Sequence, residues 1–227
     1  MKVIYVIQAR TNSTRLPAKV LLPIGNIPIV VLAAKRAANL GIETIVLTSQ
    51  EKTDDYLCEV LNEFNVPYFR GSLDNTLDRF VSALNEYEDN TVVVRLTADN
   101  IVPDGKFIAQ VVEDFLLTES KYLSTSGEAS GLPYGLSAEV MYLCSLRDAN
   151  RNTKELFDCE HVTPYIRKKY GVQVFEKLKY LDMADKRCTI DVLDDYLAMA
   201  KIFIDIDDAV NEPAENIIKR IDEKSCG

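Results

Sequence analysis

A polar loop follows the first apolar run of the chain and carries three cations within ten residues. Residues 3–7 are continuously apolar, β-branched or aromatic, which is typical of a buried strand. The next segment, QARTNSTRLPAK (residues 8–19), holds Arg10, Arg15 and Lys19 among small hydrogen-bond donors. Guanidinium and ammonium groups after a strand suit a polyphosphate, because several oxygens must be neutralised at once. The loop is not a Walker A motif and the chain lacks G-x-G-x-x-G, so a solvated basic loop stays the alternative.

Two aspartates follow other short β-like runs. Asp99 ends the segment VVVRLTAD, and Asp191 lies in RCTIDVLDD near the other end of the chain. Carboxylates that arrive beside a polyphosphate loop would suit Mg²⁺, a hard cation that takes one or two carboxylates together with phosphate oxygens. The alternative is that both are turn or N-cap residues, since Asp is favoured in both places.

The elements that must position these residues alternate between short β-rich runs and helical periods. The pattern predicts strands at residues 3–7, 42–48, 66–69 and 91–97. It predicts helices at residues 26–40, 54–64, 74–87 and 105–117, the first with Asn26 as N-cap, Pro28 near its start and Gly41 after its end. This order indicates right-handed βαβ crossovers and a parallel sheet with helices on both faces. In such a sheet the ligand lies beyond the carboxyl ends of the strands, where the loop and both aspartates arrive.

The alternation loosens after about residue 120. Strands are predicted at residues 122–125, 138–142 and 172–180, and a helix at residues 194–203. No Pro/Ser-rich linker or repeat marks a boundary. We interpret this half as a mixed extension of the same sheet, so that residues 1–227 form a single domain.

Charge and composition exclude several classes of protein. The 227 residues contain 26 Lys plus Arg and 35 Asp plus Glu, a net charge of −9, which disfavours nucleic acid and anionic membranes as partners. Yet the first 42 residues hold six of the cations and no acid. One His and five Cys without C-x-x-C spacing disfavour a zinc ribbon, a redox pair and a disulfide scaffold. With no apolar run of membrane-spanning length, a cytoplasmic protein is expected.

Five ordered segments resemble the SpsF-like cytidylyltransferases of the CMP-sugar synthetase superfamily. The loop resembles the family's QARMGSTRLPGKVL, and VVRLTADNIVPD resembles its RITGDCPLID. The segments LPYGLSAEV, CEHVTPYIR and RCTIDVLDDY resemble PDGLDVEV, REHVTPYI and RLTVDTPEDY. The similarity runs along most of the chain.

The resemblance implies a Rossmann-like α/β fold of the GT-A type. It also implies Mg²⁺-dependent transfer of CMP from CTP to a small hydroxyl- or phosphate-bearing acceptor, namely a sugar, a sugar acid or a phospho or phosphono compound. Pyrophosphate is released, and the product serves cell-surface polysaccharide or glycoconjugate biosynthesis. Carried over residue by residue, it implies triphosphate contacts from Arg10, Ser13, Arg15 and Lys19, and base or ribose contacts from Thr48, Ser49, Arg70 and Ser72. It implies metal ligands at Asp99 and Asp191, acceptor contacts from Glu139, Glu160 and His161, and Arg10, Lys19 and Asp99 as the catalytic residues. A homodimer with contacts in residues 127–142 is expected.

The chain departs from the family pattern inside the loop. Thr11-Asn12 stands in place of Met-Gly, and Ala18 in place of Gly, so Cβ atoms would crowd phosphates lying against this backbone. Two other functions stay open. A glycosyltransferase would use a nucleotide-sugar and release no pyrophosphate, and a degenerate homologue would bind nucleotide without turnover.

Overall fold

A seven-stranded sheet runs through the computed structural model, which describes residues 1–225. Seven strands form the sheet in the order β5-β4-β1-β6-β8-β7-β9, and β2 and β3 make a separate hairpin. The strands are β1 Val3–Gln8, β2 Pro23–Ile24, β3 Ile27–Pro28, β4 Thr44–Ser49, β5 Tyr68–Gly71, β6 Val92–Thr97, β7 Tyr122–Ser124, β8 Glu139–Tyr142 and β9 Gln173–Val174. The β5-β4-β1-β6 half is parallel, whereas β8 is antiparallel to both of its neighbours. The predicted mostly parallel α/β sheet with a mixed C-terminal extension is confirmed.

Both faces of the sheet are buried, as the continuous apolar run in β1 predicts. Ile4 and Val6 enter one hydrophobic core, and Tyr5 and Ile7 enter the other. The alternation arises because successive side chains of a strand point to opposite faces. The covering helices are α1 Ile29–Ala37, α2 Asp55–Glu63, α3 Thr76–Ala83, α4 Gly105–Leu116, α5 Leu143–Asn152, α6 Leu156–His161, α7 Pro164–Tyr170, α8 Leu193–Phe203 and α9 Ala214–Ser225.

The start of the first helix differs from the prediction. Asn26 does not cap α1; together with Gly25 it forms the two-residue turn of the β2–β3 hairpin, and α1 begins at Ile29 after Pro28. Gly25 has a φ of 60°, which suits such a tight turn. The other end is as predicted, since Gly41 has a φ of 77° after the last turn.

A further prediction in the second half needs correction. The strand predicted at residues 172–180 shortens to β9, because its pairing with β7 ends where Ser124 meets Val174. The homodimer contact predicted for residues 127–142 stays a prediction. Within that range β8 lies inside the sheet between β6 and β7, and residues 127–129 and Tyr134 are exposed.

Cys58, Cys144, Cys159 and Cys188 are free thiols, and Cys226 lies outside the described residues. No helix within residues 1–225 is long and apolar enough to cross a bilayer.

The parallel strands deliver their following loops to one edge. Gln8 at the end of β1 pairs in register with Thr97 at the end of β6, and with Leu47 near the end of β4. The loops after β1, β4 and β6 therefore start side by side. This edge carries the candidate site.

Candidate active site

A cavity of about 390 Å³ lies at the carboxyl edge of β1 and β6. It gathers residues from the loop after β1, from α3, from the end of β6, from α6 and from the segment before α8. Its lining residues are Gln8, Ala9, Arg10, Asn12, Ser13, Thr14, Arg15, Lys19, Val20, Thr76, Arg79, Thr97, Ala98, Asp99, Glu160, His161 and Asp191. The structure thus brings together the residues Arg10, Ser13, Arg15, Lys19, Asp99, Glu160, His161 and Asp191. The strand-end argument predicts this for the loop and the two aspartates, and the resemblance implies it for Glu160 and His161.

Lys19 connects the two predicted metal carboxylates. Its Nζ lies 2.8 Å from Asp99 Oδ2 and 2.9 Å from Asp191 Oδ1, and it donates to the carbonyl of Ile190 at 2.7 Å. The side chain of Lys19 is 10% exposed, so water competes little for these contacts. One buried ammonium therefore holds two carboxylates that are 92 residues apart in the chain.

Asp191 is the most heavily paired carboxylate of the cavity. Besides Lys19, it contacts Arg15 at 3.0 Å and Arg187 at 2.6 Å. Burial by itself raises the pKa of Asp191, but the hydrogen bond and charge of Lys19, with the charges of Arg15 and Arg187, outweigh it and lower the pKa overall. Asp191 is therefore a stable anion at neutral pH.

A strained turn presents the histidine to the cavity. Val162 is fully buried with a φ of 71° and a ψ of −52°, a classic γ-turn geometry, and the N–H of Thr163 donates to the carbonyl of His161 at 2.8 Å. A β-branched residue adopts this conformation only when its surroundings force it. Next to this turn, Glu160 approaches Arg10 across the cavity mouth at 3.5 Å.

Arg79 is a residue of the cavity that the sequence reasoning missed. It is 2% exposed, donates from Nη1 to the carbonyl of Ser72 at 2.8 Å, and forms no ion pair within residues 1–225. Its Nε has no hydrogen-bond partner. Burial and, to a smaller extent, the charge of Arg10 lower the pKa of Arg79 to about 10, against an opposing effect of the Asp54 carboxylate. A buried cation that lines a cavity without a carboxylate indicates a place for a negative or electron-rich ligand group.

Thr48 and Ser49, predicted to lie near the base and ribose, are fully buried behind the cavity. Both donate their hydroxyls to Oδ2 of Asp54, at 2.9 and 2.5 Å. Asp54 also accepts from the backbone N–H of Thr11 at 2.8 Å. Their side chains thus fix the carboxylate that holds the start of the loop, and they do not line the cavity.

Arg70 and Ser72 also lie behind the cavity wall. Arg70 donates to the carbonyls of Ser49 and Glu51, both at 2.9 Å, and pairs with Asp55. Ser72 supplies the carbonyl that holds Arg79. The contacts of both residues are with the protein itself, and their predicted nucleotide role stays a prediction.

Glu139 lies on the far side of His161. Its carboxylate is bonded to Arg95, Tyr122 and Thr163. Burial raises the pKa of Glu139, but the charge of Arg95 and these hydrogen bonds outweigh it, so the pKa falls. Because its contacts include Thr163, Glu139 anchors the turn that presents His161, and its predicted contact with the acceptor stays a prediction.

Of the three loop residues that differ from the family pattern, only one lines the cavity. Thr11 and Ala18 are absent from the lining within the described residues, whereas Asn12 is part of it. The N–H of Ala18 donates to the carbonyl of Thr11 at 2.9 Å, which closes the neck of the loop. Ala18 has a φ of 56° and a ψ of 22°, the left-handed region that Gly adopts at less cost.

Replacing Ala18 by Gly should raise the free energy of unfolding by about 1 kcal/mol, because the left-handed conformation then costs no Cβ clash. Urea unfolding measures the difference. The matched control is Ala198→Gly in α8, an exposed helical alanine, which should lose about 1 kcal/mol. A loss of stability on Ala18→Gly would contradict the strain argument.

Comparisons with known proteins agree with this geometry. Residues 4–219 match the family model described as cytidylyltransferase. The chain is 37% identical to an uncharacterised protein of Methanocaldococcus jannaschii, over 98% of this chain and 91% of that one. It is 31% identical to the spore coat polysaccharide biosynthesis protein SpsF of Bacillus subtilis, over 88% and 86%. A solved cytidylyltransferase structure from Leptospira borgpetersenii covers 100% of this chain and 96% of its own, with a TM-score of 0.89 and 26% identity.

The match of the family model spans nearly the whole chain and includes every residue of the cavity. The relatives are similar over most of their own length as well. The chain is therefore a nucleotidyltransferase that belongs to the cytidylyltransferase family.

Proposed function

We propose that the protein transfers CMP from CTP to a small acceptor that bears a hydroxyl or phosphate group, with release of pyrophosphate. The observation that carries this proposal is the contact of Lys19 with both Asp99 and Asp191 beneath a loop that supplies Arg10 and Arg15. Cations for a triphosphate and carboxylates for a metal thus meet in one cavity. The similarity to a spore coat polysaccharide biosynthesis protein supports a role in making a cell-surface polysaccharide or glycoconjugate.

Arg10, Ser13, Arg15 and Lys19 would hold the triphosphate. Guanidinium groups bind phosphate oxygens in pairs, and Ser13 adds a neutral donor. We add Arg79 to this set as a fixed positive charge in the wall, next to Thr76 at the start of α3. The side chains of Thr48, Ser49, Arg70 and Ser72 support the wall in this proposal, and the base and ribose lie against it.

Mg²⁺ is the proposed cofactor, held by Asp99 and Asp191. The pair fits because both carboxylates already meet a single cation, the Lys19 ammonium. Bound there, Mg²⁺ would neutralise phosphate charge and orient the leaving group. Within residues 1–225 no group of three or more His, Cys, Asp and Glu side chains gathers to hold a metal, so phosphate oxygens must complete the site. We therefore expect Mg²⁺ to bind together with CTP.

The reaction joins an acceptor oxygen to the α-phosphorus of CTP and breaks the bond from that phosphorus to the oxygen that bridges it to the β-phosphorus, which leaves with pyrophosphate. Positioning and charge neutralisation carry most of such a transfer. Arg10, Arg15 and Lys19 would offset the charge that develops on the leaving pyrophosphate. Glu160 and His161 would face the acceptor, where either could accept the proton that its hydroxyl releases.

A screen of the four ribonucleoside triphosphates against an acceptor panel tests the proposal. We expect pyrophosphate release with CTP and Mg²⁺, and loss of that release when EDTA removes the metal. The measurement is a coupled pyrophosphate assay, with calorimetry for CTP binding.

Three outcomes of this screen would contradict the proposal. Pyrophosphate release with purine triphosphates in preference to CTP would overturn the choice of nucleotide. Transfer from a nucleotide-sugar without pyrophosphate would indicate a glycosyltransferase. Absence of CTP binding in the presence of Mg²⁺ would indicate a degenerate homologue.

A further inference from the structure

His161 lies in the wall of the first cavity, at the carboxyl edge of β1 and β6, and also in the wall of a second cavity of about 390 Å³. The remaining lining residues of the second cavity are Arg95, Glu139, Phe157, Thr163, Pro164 and Arg167. His161 is the one residue that the two linings share within the described part of the chain. The contacts that hold His161 in place therefore decide how its imidazole meets a group bound in the first cavity.

Helix α6 ends at His161, but the packing of its own side chains does not fix this residue, since none of them is buried. Phe157, one turn earlier, places its ring centroid 4.4 Å from that of His161. It is itself 64% exposed, so the two rings can move together with the helix. The position of His161 therefore depends on the turn that follows it.

That turn has a strained backbone. Val162 has a φ of 71°, which a β-branched residue avoids. Its side chain is fully buried in the core that α3, α5 and α7 also enter. After the turn, Pro164 begins α7, and the N–H of Arg167 donates to the carbonyl of Thr163 at 2.9 Å. Thr163 is thus the residue that joins the strained turn to the next helix.

The hydroxyl of Thr163 connects the turn to a buried carboxylate. It donates to Oε1 of Glu139 at 3.0 Å, and the hydroxyl of Tyr122 donates to the same oxygen. Tyr122 is fully buried. Burial, together with the charge of Glu139, raises the pKa of Tyr122, so its hydroxyl stays protonated and remains a donor. The carboxylate is therefore held in place at the point where Thr163 reaches it.

Arg95 holds the other oxygen of the same carboxylate. It pairs with Oε2 of Glu139, and its Nε donates to Oε1 of Gln8 at 3.1 Å. Gln8 ends β1 and lines the first cavity, and Arg95 belongs to β6. These are the two strands whose ends carry the loop and Asp99. The turn at Val162 thereby has a fixed position relative to the groups of the first cavity.

We propose that Thr163 is a positioning residue of the transfer reaction, whose hydroxyl, through Glu139, keeps the turn at Val162 closed and His161 in the wall of the first cavity. Without this hydrogen bond the turn can relax to a conformation that costs Val162 less, and α6 has no buried side chain to resist the change. His161 then loses the position from which it could accept a proton from an acceptor hydroxyl. This inference rests on the proposed function, since His161 faces the acceptor in that reaction.

Nitrogen-15 relaxation of the His161 amide tests this role on the untagged full chain without any ligand. His161 is the single histidine of the sequence, so selective labelling of histidine gives one backbone amide signal. We expect an order parameter of about 0.85 in the wild type, the value of a rigid backbone, and a fall below about 0.6 in Thr163→Val. Thr163→Ser keeps the hydroxyl and should keep the wild-type value. Tyr122→Phe removes the other hydroxyl from Glu139 and should lower the order parameter as well.

Kinetics separate positioning from nucleotide binding. In the pyrophosphate assay with the acceptor panel, Thr163→Val should lower kcat about ten- to a hundredfold. The KM for CTP should stay nearly unchanged, because Thr163 does not line the first cavity within the described residues. Thr44→Val is the matched control, since Thr44 is also buried and its hydroxyl donates to the carbonyl of Ile42 at 3.0 Å, at the start of β4. It should leave the order parameter of His161 and kcat unchanged.

Three results would overturn the role of Thr163: an unchanged order parameter in both Thr163→Val and Tyr122→Phe, an equal fall in Thr163→Ser, or an equal fall in Thr44→Val. Should Thr163→Val not fold, Tyr122→Phe decides alone. If the order parameter falls and kcat does not, the positioning role fails and the proposed function stands. If the wild type releases no pyrophosphate from CTP, the proposed function fails, and the order parameters still decide whether Thr163 holds the turn.

Discussion

Replacing Asp99 by Asn should reduce turnover with CTP by on the order of a thousandfold, because the variant loses one of the two anions that would hold the metal. The shape of the side chain is kept. Lys19 retains Asp191 and the carbonyl of Ile190 as partners, so the fold should change little. Initial rates of pyrophosphate release, measured over a range of Mg²⁺ concentrations, give the effect.

Asp194→Asn is the matched control for this variant. It makes the same chemical change three residues from Asp191, at an exposed position that lines neither cavity. It should keep full turnover, with at most a few tenths of a kcal/mol lost at the start of α8. An Asp99→Asn enzyme that works at the full rate would contradict the metal assignment, and equal loss in both variants would indicate a general effect of charge.

The positions of the loop cations and of the aspartates in the cavity were predictable from the sequence, because they depend on where the strands end. In a parallel sheet, a loop that follows one strand and an aspartate that follows its neighbour must meet at one edge. This argument places Arg10, Lys19 and Asp99 together before any coordinates are known. The same argument brings Asp191 to this edge as the residue that follows a short β-like run; in the structure that run is no strand, and Ile190 makes one backbone bond to Asp99.

The side chains that lie behind the cavity were not predictable in this way. A strand-end threonine or serine points either to the ligand or to the protein, and the direction for Thr48 and Ser49 is set by Asp54, which folds back over them. Arg79 was missed because an arginine in an amphipathic helix normally belongs to the solvated face. Its burial depends on the carbonyl of Ser72 and is visible only in three dimensions.

The sequence analysis did not predict four of the observed helices, which are α5, α6, α7 and α9. Two of them, α5 and α6, were missed for different reasons. Helix α5 buries Leu143, Leu146 and Ala149, whose spacing of three residues was available as a helical signal in the sequence. Helix α6 buries none of its side chains, so no periodic pattern could reveal it. It nevertheless carries Glu160 and His161 into the cavity, so a helix that lines the candidate site need not have an apolar face.

Replacement of Asp54 should have the second large effect, because this one buried carboxylate holds the start of the loop after β1. It is 1% exposed and accepts from the N–H of Thr11, the N–H of Ser49 and the hydroxyl of Thr48. The hydroxyl of Thr11 lies 2.7 Å from Asp54 Oδ1 and 2.8 Å from the carbonyl of Thr53, which share its one proton. Through Thr11 and its bond with Ala18, the carboxylate fixes both ends of the loop.

Asp54→Asn should lower the free energy of unfolding by about 2–4 kcal/mol. The NH₂ group of asparagine is a hydrogen-bond donor, and it would replace a carboxylate oxygen that accepts from N–H and O–H groups of the protein. It should also weaken CTP binding about tenfold or more, since the start of the loop is released from the side chain of residue 54. Burial raises the pKa of Asp54, but the bonds from Ser49, Thr11 and Thr48 outweigh it, so the folded-state pKa lies below its ordinary value. The stability that Asp54 contributes is therefore complete at neutral pH and is lost as the pH falls through that lowered pKa.

The free energy of unfolding, measured as a function of pH, tests this predicted loss of stability in acid. The difference in the free energy of unfolding between wild type and Asp54→Asn should be constant around neutral pH. It should shrink in acid, because the variant has no carboxyl group at residue 54 to protonate. A gap that widens in acid would contradict the assignment of Asp54 as a charged acceptor.

A comparison of Thr11→Val with Thr48→Val separates support of the loop from support of the fold. Each variant removes one hydroxyl from the same carboxylate, so each should cost roughly 1–2 kcal/mol of stability. Only Thr11 belongs to the loop, and calorimetry should therefore find weaker CTP binding in Thr11→Val alone. Equal weakening in both would favour a direct nucleotide contact by Thr48 over its place behind the wall. Unchanged CTP binding in both would mean that the neck of the loop is held without Asp54.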